Sequence, residues 1–130
     1  MWPIRILLVD DNLNFLEAIA RFLATQPGIE VVGWARSGHD ALQQVQRLKP
    51  DLVLLDLVMP GMTGMDAAQQ IKAQPDAPCV ILLTLYDDLP YRVAAADAPV
   101  DGFLSKVDVG TQLLPLIDHL FSCRMHDNPR

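Results

Sequence analysis

Two cysteines, three histidines and no apolar run of membrane-spanning length leave several function classes without material in this 130-residue chain. Cys79 opens an aliphatic segment and Cys123 lies near the carboxyl end. That pair has neither a metal-ligand spacing nor a small secreted framework around it, so both read as structurally incidental. His39, His119 and His126 are scattered without companion ligands, which removes a zinc site or a histidine-activated nucleophile. No apolar stretch is long enough to cross a bilayer, and the start MWPIRILLVDD meets an acid too early for a secretory signal. These absences point to a cytoplasmic protein with no membrane partner. Basic charge is short as well: ten Lys and Arg against sixteen Asp and Glu give a net charge of -6 and a pI near 4.7. A surface of that sign repels polyphosphate backbones, so direct nucleic-acid binding by this chain is not expected.

What is present is a regular alternation. The aliphatic runs IRILLV (Ile4–Val9), IEVVGW (Ile29–Trp34), DLVLLD (Asp51–Asp56), CVILLT (Cys79–Thr84) and GFLS (Gly102–Ser105) are separated by helical patterns. Near-continuous apolar strands joined by helices indicate an α/β domain whose parallel sheet is covered on both faces. Phe15, Ile19, Phe22 and Leu23 make one helical stripe, and Ala41, Val45 and Leu48 another. Ser37 with Asp40, and Thr63 with Asp66, have the capping-box spacing, which places helix starts near residues 38 and 64. A fourth helix is expected over residues 88–97, alanine-rich and short of apolar area. In the last helix Leu113, Ile117, Leu120 and Phe121 share a face, and Pro115 requires a start near Thr111 if its missing N–H is to go unused. The reading is one domain over residues 1–122 and a polar tail or linker start over 123–130.

Five strands and five helices form a doubly wound sheet most simply in the order 2-1-3-4-5, which reverses direction once and keeps every crossover right-handed. Strands 1 and 3 are then neighbours. Asp10 and Asp11 at the end of the first and Asp56 at the end of the third meet at the carboxyl edge, with Thr84 and Lys106 on the same rim. Two like charges ~4 Å apart repel by about 4 kcal/mol at an effective dielectric near 20, so three clustered acids demand a positive partner. Mg²⁺, a hard cation that keeps waters and takes few protein ligands, suits two or three carboxylates and a backbone carbonyl. An Asp beside Mg²⁺ and a Lys is arranged to attack a phosphoryl group, a transfer that depends on positioning and charge neutralisation. Asp56 is the candidate phosphoacceptor.

In order and spacing, LLVDDN, LLDLVMPGMTG, LLT and GFLSK resemble the motifs of a receiver (CheY-like) domain of a two-component response regulator, over about Ile4 to Phe121. LTLYDD and DGFLSK are most similar to receivers that precede a LuxR-type domain (NarL/FixJ subfamily), so the output expected of a longer protein is transcription regulation. The resemblance implies a flavodoxin-like fold and a phosphorylation switch. A histidine kinase or phosphotransfer protein donates a phosphoryl group to Asp56, with Mg²⁺ held by Asp10 or Asp11, Asp56 and the Val58 carbonyl. It also implies that the receiver catalyses its own aspartyl phosphorylation and dephosphorylation without turning over an external substrate. Thr84 and Phe103 act as switch residues, Lys106 pairs with the phosphoryl group, and the surface of the fourth helix, fifth strand and last helix is remodelled. A homodimer on phosphorylation is one expected outcome.

Some positions depart from the common pattern. Leu85 and Tyr86 follow Thr84 where many receivers have a small residue and then a variable one; Val58 cannot hold an attacking water; Pro99 and Val100 precede Asp101; and Val107 follows Lys106 where many receivers have Pro. Together Val58 and Tyr86 suggest a long-lived phosphoryl group. A competing function is a phosphorylation-independent interaction module on the same fold. A phosphatase of the haloacid dehalogenase type would want a second acid two residues after its nucleophile, where this chain has Asn12 after Asp10 and Val58 after Asp56.

Overall fold

The computed structural model describes residues 3–85 and 99–122. The helix expected at 88–97, Tyr86 and the tail from Cys123 lie outside the described residues. Within them the chain runs β1 (Ile4–Val9), α1 (Leu13–Ala24), β2 (Ile29–Ala35), α2 (Gly38–Leu48), β3 (Leu52–Asp56), α3 (Gly64–Lys72), β4 (Cys79–Thr84) and β5 (Gly102–Ser105). A 3-10 turn (Lys106–Asp108) and the helix α4 (Val109–Leu120) follow.

The strands form one parallel sheet in the order β2-β1-β3-β4-β5, as the strand pattern requires. Side chains alternate across it. Ile4, Ile6, Leu8, Leu52, Leu54, Ile81 and Leu83 face α1 and α4 in one core. Leu7, Val9, Val53, Leu55, Val80 and Leu82 face α2 and α3 in the other. Each fully buried Leu or Ile contributes about 1.5–3 kcal/mol of transfer free energy. Two half-cores of this kind fix the strand order and thereby the edge on which the acids emerge.

The capping boxes start their helices where the spacing placed them. Ser37 accepts from the Asp40 N–H ahead of α2, and Thr63 from the Asp66 N–H ahead of α3. The α1 stripe is centred differently from the sequence reading. Leu16, Ile19 and Leu23 are its buried residues, while Phe15 and Phe22 flank them at partial burial. A correction also falls on α4, which begins at Val109, so Pro115 lies inside it. Both Pro115 and Thr111, whose carbonyl loses its helical donor, are exposed, and a carbonyl open to solvent does not need that donor.

The link into β5 is pinned by Asp101. Its carboxylate accepts from the Val80 N–H and from Lys72 Nζ, both at 2.8 Å, and its own N–H donates to the Val80 carbonyl. These bonds hold the β4–β5 pair in the register that sets Thr84 opposite Ser105.

Candidate functional site

The β1–β3 register ends with Val9 opposite Leu55, so the next residues, Asp10 and Asp56, emerge side by side. By strand alternation Asp56 follows Leu52 and Leu54 onto the α1 face. Asp10 is 1% and Asp56 5% exposed, whereas Asp11 is exposed. A carboxylate oxygen from each of the three lies within 4.8 Å of the others.

Lys106 reaches into this cluster from the turn after β5. Its Nζ donates to Asp10 Oδ2 at 2.5 Å and lies 3.4 Å from Asp56 Oδ1. The other Asp10 oxygen accepts from the Asn12 N–H at 2.8 Å. Asn12 in turn caps α1 by accepting from the Phe15 N–H, and the Phe15 ring stands 4.3 Å below the Lys106 ammonium. Arg36 donates to the Asp11 carbonyl at 3.2 Å, tying the end of β2 to the acidic loop.

Asp56 is shaped from behind by Gly64. The Gly64 N–H donates to the Leu57 carbonyl, and a Cβ there would fall 2.7 Å from Leu57 Cα. Only a residue without a side chain lets α3 begin this close to the acid loop. The result is a cleft of about 240 Å³ lined by Asp10, Asp11, Asn12, Asp56, Val58, Leu85 and Lys106. A larger groove of about 510 Å³ opens at the opposite edge, between the carboxyl ends of α2 and α3; it gathers no comparable set of reactive groups.

Burial first, and the charge of Asp10 second, push the Asp56 carboxyl up to about 6, against the lowering influence of Lys106 and the Val58 N–H. Three carboxylates and one ammonium leave a formal excess of two negative charges around the cleft. A divalent cation matches that excess, and the donors are hard carboxylate oxygens of the kind Mg²⁺ takes. The residues present therefore fit the ion.

The remaining expected residues occupy distinct places. Thr84 ends β4 on the same edge and is 1% exposed. Val58 is partly exposed on the cleft wall. Phe103, in mid-β5, is half-buried and, like Val100, packs against the core on the α2 and α3 side. The sequence reading missed two contributors, Asn12 and Phe15. Asn12 had a legible signal, since an Asn directly before a helical stripe is a favoured N-cap. Phe15 had none, because an aromatic in an apolar stripe reads as core.

The model of the response regulator receiver domain matches residues 6–117. The chain belongs to that family. Among curated proteins the receiver is similar to the response regulator protein VraR of Staphylococcus saprophyticus, 38% identical over 117 residues, covering 88% of this chain and 55% of that protein. It is also similar to the transcriptional regulatory protein LiaR of Bacillus subtilis, 42% identical over 97 residues, covering 73% and 46%. The chain thus spans about half the length of the curated relatives it matches. Among solved structures, a LuxR-family two-component response regulator from Aurantimonas superposes with a TM-score of 0.85 at 27% identity, over 92% of this chain and 86% of that one. The receiver is accordingly a two-component signalling domain related to LuxR-type regulators. No described helix is long and apolar enough to cross a membrane.

Proposed function

We propose that this receiver is a phosphorylation-dependent switch with Asp56 as its phosphoacceptor. The observation that carries the reading is the meeting of Asp10, Asp11 and Asp56 with Lys106 in one cleft. The donor is a phosphohistidine on a histidine kinase or phosphotransfer protein. An Asp56 carboxylate oxygen attacks phosphorus, the P–N bond breaks, and the departing imidazole keeps the electron pair and takes up a proton. The product is an acyl phosphate.

Asp10 or Asp11, Asp56 and the Val58 carbonyl would hold Mg²⁺. Bound there, the ion neutralises charge on the phosphoryl oxygens and lowers repulsion from the acids. Lys106 exchanges its bond to Asp10 for one to the new phosphoryl group. Thr84 hydrogen-bonds the same group, and Phe103 responds by repacking, changing the surface built from β5 and α4. Converting such an element from mostly inactive to mostly active takes about 5 kcal/mol of differential stabilisation. The printed name of the LiaR relative, a transcriptional regulatory protein, supports an output in transcription regulation; on this reading a further domain of a longer cytoplasmic protein delivers it, with homodimerisation as the route.

Incubation with acetyl phosphate and Mg²⁺ tests the reading. Wild type is expected to gain one phosphoryl group by intact-mass measurement and to increase its self-association in sedimentation, while Asp56→Asn does neither. A wild type that gains no mass, or a variant that gains as much, overturns it.

A further inference from the structure

The Lys106 side chain is 7% exposed, and its ammonium meets three groups. Two are carboxylates, Asp10 at 2.5 Å and Asp56 at 3.4 Å. The third is the face of Phe15, whose centroid lies 4.3 Å from Nζ, inside the ~6 Å range over which a ring's negative face attracts a cation. Phe15 is held on both sides: its N–H donates to the Asn12 side chain, and its ring packs on the core beneath α1. Asn12 also fixes Asp10. The segment from the end of β1 into the first turn of α1 therefore grips Lys106 through both an acid and a ring.

The two grips differ in what they do to charge. Asp10 neutralises the ammonium and must release it when its own oxygens turn to a cation. Phe15 supports the ammonium without cancelling it and has no oxygen to offer a metal. We propose that Phe15 is a positioning residue for Lys106. Its ring keeps the ammonium at the cleft, still charged, while Lys106 passes from Asp10 to the phosphoryl oxygens on Asp56. The inference rests on the reading of Asp56 as phosphoacceptor.

The test compares Phe15→Leu, Phe15→Tyr and a series carrying mono-, di- and trifluorinated phenylalanine at position 15. Fluorination drains the ring face in steps while nearly preserving size, so packing stays constant as the cation attraction falls. Two quantities are measured: the NMR shifts of the Lys106 ε-methylene protons with no phosphodonor, and the rate of phosphorylation by acetyl phosphate at saturating Mg²⁺.

In wild type the Lys106 protons are expected upfield of free lysine, moving back in Phe15→Leu. The rate is expected to fall stepwise with fluorination, by about three- to tenfold at the trifluorinated ring, and Phe15→Tyr should recover most of what Phe15→Leu loses. Lys106 protons at free-lysine positions in wild type, or a rate that stays flat along the series, overturn the proposal. A wild type with shifted Lys106 protons but no phosphoryl uptake overturns the phosphoacceptor reading instead, and with it the part assigned to Phe15 in transfer.

Discussion

A Cβ added at Gly64 would fall 2.2 Å from the carbonyl oxygen of Asp56, and that oxygen belongs to backbone that cannot turn aside. Gly64→Ala is therefore expected to push α3 off the acid loop, lowering stability by about 2–3 kcal/mol. It should slow phosphoryl uptake as well, because Asp56 is displaced. Urea denaturation and intact-mass kinetics check both effects; an unchanged midpoint and rate would show that the loop yields freely.

Lys106 is the positive partner of two buried acids, so its loss should be felt most when no cation is bound. Lys106→Met keeps the aliphatic stem but leaves Asp10 and Asp56 uncompensated. Stability in Mg²⁺-free buffer is expected to fall by about 3 kcal/mol, and saturating Mg²⁺ should recover most of the loss. Equal stability of variant and wild type without Mg²⁺ contradicts this.

The Asp56 carboxyl is raised from an ordinary value of 3.8 to about 6, so the folded chain holds a proton that the unfolded chain has already released. Stability from this group is fully present below the unfolded value and is lost as pH rises through about 6. In Mg²⁺-free buffer at neutral pH, Asp56→Asn is expected to be more stable than wild type by roughly 1–3 kcal/mol. The difference should shrink as pH falls toward about 4. Urea titrations across pH measure it, and parallel profiles for the two proteins would show that folding does not raise the Asp56 carboxyl.

Val58 and Leu85 are 42% and 63% exposed and line the cleft with side chains that hold no water. Self-dephosphorylation is expected to be slow, and Val58→Asn to speed it by about tenfold by offering an attacking water a hydrogen bond. Following phosphoprotein after removal of the donor checks this. Rapid loss from wild type, unchanged in the variant, counts against it.

Much of this was legible before the structure, for physical reasons that differ by element. The run Leu52–Leu55 is aliphatic throughout because β3 is covered on both faces, and that continuity marks Asp56 as the side chain at its end. Ser37 and Thr63 mark helix starts because a capping oxygen must lie at one fixed offset from the N–H it serves. Pro115 misled because its cost depends on whether water reaches the Thr111 carbonyl, a question of exposure that spacing does not encode. In the α1 stripe Ile19 and Leu23 are legible, but Leu16 is not, for a related reason: Phe15 and Leu16 are both apolar, and only packing decides that Leu16 goes under while Phe15 turns to Lys106. That Lys106 lies nearer Asp10 than Asp56 is a matter of ångströms set by the turn after β5.

Whether Asp56 is the phosphoacceptor is decided by the position of the modified residue. After loading with acetyl phosphate and Mg²⁺, borohydride reduction of the acyl phosphate converts the acceptor Asp to homoserine, which tandem mass spectrometry locates. Homoserine is expected at position 56 and at no other acid. Homoserine at position 10 or 11, or none at all under loading conditions, contradicts it.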